Sequence, residues 1–283
     1  MMFKTRLKTF SAQAVELLLA ALDEDDRISD AGGLPATLAA PCTQATIEDN
    51  YALCLQLWEQ GFTRRELRAL VRKVLRGATL TEAEVMRYKS IRARFKHLRF
   101  AQRLYRRQHD STRLFKLITV FLGHFQDGFR YGNNQTLRLY GTLLTVLLSR
   151  PLWALMRCTL RHTRLDNLPG FMRHCQQQMY ELRVLSSKPQ LTGTEFHDVR
   201  KIISQQVSYY DTLRSLYPAD RQAYQTSRFL ANINGLMGQR HDGMVADKLA
   251  GRRHYDTPDA LDAAISQQLR LLTEHASQGL VPV

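Results

Sequence analysis

Apolar residues recur every three or four positions along most of the chain, and no stretch alternates apolar with polar in the two-residue rhythm of a strand. The pattern predicts an all-α protein. Helices are expected over 5–22, 46–60, 63–76, 80–108, 111–126, 134–148, 150–163, 168–187, 193–215, 219–238 and 256–277. The breaks carry turn chemistry: Asp30-Ala31-Gly32-Gly33-Leu34-Pro35, Gly132-Asn133-Asn134, Leu168-Pro169-Gly170 and Tyr217-Pro218. The stretch Asp23–Ala45 reads as a long loop. Thr79 with Glu82, or Thr81 with Glu84, offers a capping box to start the helix over 80–108.

That helix carries two rows. Tyr88, Ile91, Phe95, Leu98, Gln102 and Tyr105 form a largely apolar one, in which Phe95 and Tyr105 are expected to pack in the core. Lys89, Arg92, Lys96, Arg99, Arg103 and Arg106 form a cationic one, at spacings that stack side chains on a single face. Stacked like charges destabilise an isolated helix, so six in line point to a multivalent anion that offsets their repulsion. The row also locates the chain's basicity. Net charge is +14 over 283 residues, and residues 63–116 hold 17 Lys/Arg against 4 Asp/Glu. A concentrated excess of this kind suits a polyanionic partner: nucleic acid, an anionic membrane surface or a phosphate polymer.

The two rows recur. A shift of 108 residues maps the apolar row onto Phe196, Val199, Ile203, Gln206, Tyr210 and Leu213. It maps Lys89 onto His197, Arg92 onto Arg200 and Arg106 onto Arg214, whereas Ser204, Val207 and Asp211 replace Lys96, Arg99 and Arg103. A second signature follows each row: Ile118 to Leu122-Gly123 and Asp127, then Ile233 to Met237-Gly238 and Asp242. Its shift is 115, which places a seven-residue insertion, about two helical turns, in the second copy.

Other chemistry is scarce. No nucleophile elbow, phosphate-binding glycine loop or dinucleotide fingerprint is present. Cys42, Cys54, Cys158 and Cys175 lack metal-type spacing and are too few for a disulfide framework; Cys158 and Cys175 are expected to be buried or partly buried. Three His-Asp dipeptides (109–110, 197–198 and 241–242) raise a metal phosphohydrolase. However, His241-Asp242 aligns with Gln126-Asp127 in the repeat, which reads as a helix-capping Asp. No signal peptide is visible, and the apolar run near Leu139–Ser149 is too short to span a bilayer before Arg150-Pro151. A soluble cytoplasmic protein is expected.

The stretch from Lys89 through Arg92, Lys96-His97 and Arg99 resembles the opening helix of the CHAD (conserved histidine α-helical domain) family, whose motif is His-x-x-Arg, a basic pair, then Arg. His197-Asp198-Val199-Arg200-Lys201 resembles the family's second helix, and Leu122-Gly123 to Asp127 and Met237-Gly238 to Asp242 resemble its Leu-Gly-x-x-x-Asp turns. The resemblance covers roughly residues 80–248. Lys89 stands where the first histidine would be, and Ser204, Gln205 and Val207 replace expected basic residues. Glu82-Ala83-Glu84-Val85-Met86 lacks the Lys of the triphosphate-tunnel strand that precedes many family members.

The resemblance implies two pseudo-symmetric antiparallel helical bundles over 80–283, with halves of about 80–165 and 166–283; residues 1–79 lie outside it and are expected to form an N-terminal helical extension. It implies non-enzymatic binding of inorganic polyphosphate through a basic groove, with no cofactor, metal or catalytic residue, and association with polyphosphate granules. Lys89, Arg92, Lys96, Arg99, Arg103 and Arg106 would form the main phosphate row, and His197, Arg200 and Lys201 would approach from the second half. His197 reads equally as a phosphate-facing donor that gains charge below about pH 6.5 or as a hydrogen-bonded structural histidine. The alternatives are a helical nucleic-acid-binding protein using the same row and an adaptor whose basic surface docks an acidic protein.

Overall fold

The computed structural model describes residues 7–25, 28, 33–35 and 42–279, without the side chains of 249 and 276–279. Among the described residues all regular structure is helical, in eleven α-helices. Two isolated bridges, Arg106 with Leu165 and Leu191 with Asp259, are the only β pairings there. Residues 30–32 of the expected turn at Asp30–Pro35 and about half of the 23–45 loop lie outside the described residues.

The chain divides into two compact units. One takes the described residues up to Phe10 and Tyr51–Leu165; the other takes those from Ser11 to Asn50 and from Asp166 onward. Helix α2 (Gln44–Gln60) contributes residues to both. Segments of the first 79 residues are thus built into each unit.

In the first unit, α3 (Arg64–Leu75) packs on α4 (Glu82–Tyr105) and α6 (Asn134–Leu147), and α5 (Arg113–Arg130) packs on α4 and α6. Helix α7 (Arg150–Arg161) completes it. The core is aromatic. Trp58 meets Phe62, Phe95 and Phe115 edge-on at 5.8, 5.5 and 5.8 Å, and stacks on Trp153 at 5.2 Å. All six residues of the apolar row on α4 are buried, including Gln102, whose Oε1 accepts from the Thr112 amide at 2.7 Å. Buried glutamine thus contributes a cap to the next helix.

In the second unit, α9 (Gly193–Leu216) packs on α1 (Ala12–Glu24), α8 (Leu168–Ser186) and α10 (Arg221–Leu249), and α11 (Ala263–Gly279) packs on α8 and α10. Helix α9 is enclosed on nearly every side: residues 202–213 are all buried, polar ones included. Several of these polar groups are tied by short internal bonds. Ser204 Oγ donates to Asn234 Oδ1 at 2.8 Å, Thr212 Oγ1 to the Ser208 carbonyl at 2.7 Å and Ser227 Oγ to Asp211 Oδ1 at 2.5 Å.

Helix boundaries follow cap chemistry. Thr81 with Glu84, not Thr79 with Glu82, starts α4, and Thr192 with Glu195 starts α9. In each box the glutamate is braced by a lysine, Lys73 on Glu84 at 2.7 Å and Lys188 on Glu195 at 2.5 Å. Helix α4 ends at Tyr105 rather than 108, and α1 begins at Ala12 rather than 5; Ser11 accepts from the Ala14 amide as its cap. The inserted residues of the second copy are helical: α5 starts at Arg113, ten residues before Gly123, and α10 at Arg221, seventeen before Gly238.

Candidate polyanion-binding surface

Five of the six predicted cations, Lys89, Arg92, Lys96, Arg99 and Arg103, lie on α4 in the first unit. Lys89 is exposed and the other four are half-buried. Among the described residues, Lys89, Arg92, Arg99 and Arg103 make no ion pair. Three acids of this unit pair with other cations: Glu84 with Lys73, Glu66 with Arg87 at 2.5 Å and Asp110 with Lys116 at 3.2 Å. Burial, and secondarily the charge of Arg103, holds the Arg99 guanidinium below its usual pKa, with Asp110 opposing. Lys96 Nζ sits 5.8 Å from the Phe100 ring centre.

The sixth cation departs from the row. Arg106 is the C-cap of α4, in extended backbone, and its guanidinium donates to the Asp110 carbonyl. Its charge closes the α4–α5 turn instead of extending the cationic face.

His97 departs further. The family motif would make it part of the basic pair, but it is buried, with Nε2 3.3 Å from Cys54 Sγ. Burial, reinforced by Lys96, pushes its pKa down to about 3, so it is neutral and faces the core. Arg94 is also buried, donating to the Ser90 carbonyl at 2.9 Å. It occupies space that only glycine at position 61 leaves open, since an added Cβ there would fall 2.0 Å from Arg94 Nε.

Gly123 and Gly238 have a role the sequence reading missed. Each lies inside a helix, α5 or α10, rather than at a turn, and Asp127 and Asp242 are likewise helical residues rather than N-caps. A Cβ on Gly123 would come within 3.3 Å of Arg92 Nη2, and one on Gly238 within 3.2 Å of Arg200 Nη2. Glycine inside a helix costs about 1 kcal/mol relative to alanine. Here it gives a guanidinium room to lie against the neighbouring backbone, in the same way in each unit.

In the second unit, His197, Arg200 and Lys201 share α9. The His197 ring stacks on His241 at 5.5 Å, and His241 meets Tyr255 edge-on at 6.1 Å. Burial pushes His197 down to about 4, helped by Lys201, His241 and Arg200 and opposed by Asp198. It is therefore neutral at neutral pH, and the expected gain of charge near pH 6.5 is corrected to near pH 4. Lys201 pairs with Asp198 at 2.8 Å.

The rest of the second row is absent for a structural reason. Ser204, Val207 and Asp211 are buried, and Arg214 is consumed by Glu24 of α1 at 2.9 Å and by Asp211 at 3.5 Å. Glu24 also holds Arg228 at 3.1 Å. Residues at positions matching Lys96, Arg99 and Arg103 point into the unit, where a cation would be desolvated.

The sequence also missed a cavity of about 390 Å³ lined by α10, the 253–262 loop and α11. Two of its arginines, Arg240 and Arg253, share the Asp259 carboxylate, so its charge is satisfied internally. Among the described residues no group of three or more His, Cys, Asp or Glu is placed to hold a metal. Cys158 is exposed, contrary to expectation, and Cys175 is half-buried. No protein-family model, curated protein or solved structure matches the chain.

Proposed function

We propose that this protein is a non-enzymatic module, CHAD-like in organisation, that binds inorganic polyphosphate along the outer face of α4. The observation that carries the reading is the set of four α4 cations, Lys89, Arg92, Arg99 and Arg103, without an ion pair among the described residues, while Glu66, Glu84 and Asp110 pair with other cations. Successive turns of an α-helix are about 5.4 Å apart, so the row offers a phosphate chain repeated contacts from a rigid support. Arginine supplies bidentate hydrogen bonds and lysine a compact charge. Counterion release makes the affinity fall with salt, as for nucleic acids.

In this reading Arg106 stabilises the end of α4 and is not a phosphate ligand. His197, Arg200 and Lys201 form a weaker, secondary set, with His197 acting as a neutral hydrogen-bonding ring. The Gly123 and Gly238 contacts support the internal repeat on which the resemblance rests.

Fluorescence titration with long-chain polyphosphate tests the assignment on wild type and on the Arg92→Ala/Lys96→Ala/Arg99→Ala variant. Wild type should bind tightly and lose affinity steeply with salt; the variant should keep its circular dichroism spectrum and bind at least about a hundredfold more weakly. Equal affinity in a folded variant refutes the site. Displacement of polyphosphate only by one nucleic-acid sequence would favour base readout instead.

A further inference from the structure

The first unit carries a second surface whose chemistry differs from the α4 row. From Gly128 to Leu165 the chain holds six arginines (130, 138, 150, 157, 161 and 164) and no Asp or Glu. Within this stretch α6 exposes Leu139, Leu143 and Val146 at 54, 36 and 59%, at helical spacings of four and three. Helix α7 exposes Leu155 at 57%, with Pro151, Ala154 and Cys158 also exposed. Arg138 and Arg150 are exposed at the ends of the α6 stripe and make no ion pair among the described residues. Arg157 and Arg161 converge on one acid, Glu59, at 3.4 and 2.7 Å.

Together α6 and α7 have the length and apolarity of a membrane-spanning segment, but they bend by 73°. The bend is built in. Arg64 donates to the Leu148 carbonyl at 2.9 Å and Arg68 to that of Thr145 at 3.4 Å, which caps the end of α6. Pro151 then opens α7. A bent apolar pair cannot thread a bilayer as one helix, whereas an exposed apolar face flanked by the arginines of an acid-free stretch matches the boundary between acyl chains and anionic headgroups.

We infer that α6 and α7 form a docking surface for an anionic lipid bilayer, with Leu139, Leu143, Val146 and Leu155 entering the interface and Arg138 and Arg150 meeting headgroup phosphates. Charge complementarity selects this occupant: a second copy of the chain would bring arginine against arginine.

Flotation with phosphatidylcholine vesicles, with and without one third phosphatidylglycerol, tests it. Wild type should float with the anionic vesicles and only weakly with neutral ones. Leu143→Glu/Val146→Glu should lose at least about tenfold in partitioning while still binding polyphosphate. A solvatochromic dye on the exposed Cys158 of the otherwise wild-type protein should shift to the blue on anionic vesicles. The inference is overturned by unchanged flotation of Leu143→Glu/Val146→Glu, by loss of flotation only in the Arg92/Lys96/Arg99 variant, or by an unshifted dye. It is equally overturned if light scattering shows wild type dimeric and Leu143→Glu/Val146→Glu monomeric.

Discussion

Helices α4 and α9 are built alike and finished differently. Each is 24 residues long, starts with a threonine capping box whose glutamate is braced by a lysine, and buries a six-residue row. Each sets an arginine against a glycine of the helix that follows. Yet α4 carries Lys89, Arg92, Arg99 and Arg103 without an ion pair among the described residues, while the positions of α9 that match Lys96, Arg99 and Arg103 are Ser204, Val207 and Asp211, buried and within a unit where α1 packs on α9. The scaffold and the charge it carries are therefore separable. Once a helix is enclosed on a face, a cation there costs several kcal/mol of desolvation, and the residue types change accordingly.

The sharpest way to break the comparison is acid. His97 on α4 is fully enclosed and held down to about 3, against an ordinary value of 6.5. Between those values the unfolded chain binds a proton that the folded chain refuses, so stability is complete above pH 6.5 and falls as pH drops toward 3. The loss should approach about 3–5 kcal/mol. His197 on α9 is half-buried and titrates near 4, so its share is smaller. Urea denaturation at pH 7 and pH 3 should show that His97→Gln flattens the pH dependence more than His197→Gln, because only His97 still resists protonation below pH 4; equal flattening would contradict the assigned environments.

The glycine contacts come next. Gly123→Leu and Gly238→Leu should each destabilise by about 1–3 kcal/mol through overpacking, measured by thermal melting. Only Gly123→Leu, which displaces Arg92, should also weaken polyphosphate binding appreciably. A matched loss in both would mean that the two arginines contribute equally.

The α1–α9 contact has a smaller effect. Burial alone would raise the Glu24 pKa, but hydrogen bonds and charge from Arg214 and Arg228 lower it below 4.5. Its contribution is present above the ordinary carboxylate value and is lost as pH falls through the lowered one. Glu24→Gln should cost about 1 kcal/mol at neutral pH, with solvent screening limiting the pair, and less as the carboxylate is protonated in acid. A cost that does not diminish in acid would exclude the ion pair as its source.

The finest test is spectroscopic. Proton NMR should place His197 near pH 4 in the free protein and higher, by about one unit, with polyphosphate bound, because a nearby anion favours the imidazolium. An unmoved His197 would remove it from the secondary set.

The helices were legible because burial imposes a period of about 3.6 residues, and the apolar rows over 88–105 and 196–213 are buried throughout. For α4 the cap chemistry narrowed to two candidates, Thr79 with Glu82 or Thr81 with Glu84, of which Thr81 forms the box. The fate of individual polar residues was not legible. His97 and Arg94 sit in a basic stretch, yet the bundle draws both inward. Gly123 looked like a turn residue because sequence does not distinguish φ freedom from close approach. The replacement of the second row became intelligible only when Ser204, Val207 and Asp211 proved to be enclosed, since long-range burial leaves no local mark.

The central claim is that the α4 face binds the polyanion and α9 adds little. Its most direct test is polyphosphate affinity at one fixed salt concentration for Arg92→Ala/Lys96→Ala/Arg99→Ala and, in parallel, His197→Ala/Arg200→Ala/Lys201→Ala. The account predicts at least about a hundredfold loss for the first and less than about tenfold for the second. Equal losses, or a larger loss for the α9 variant, would contradict it.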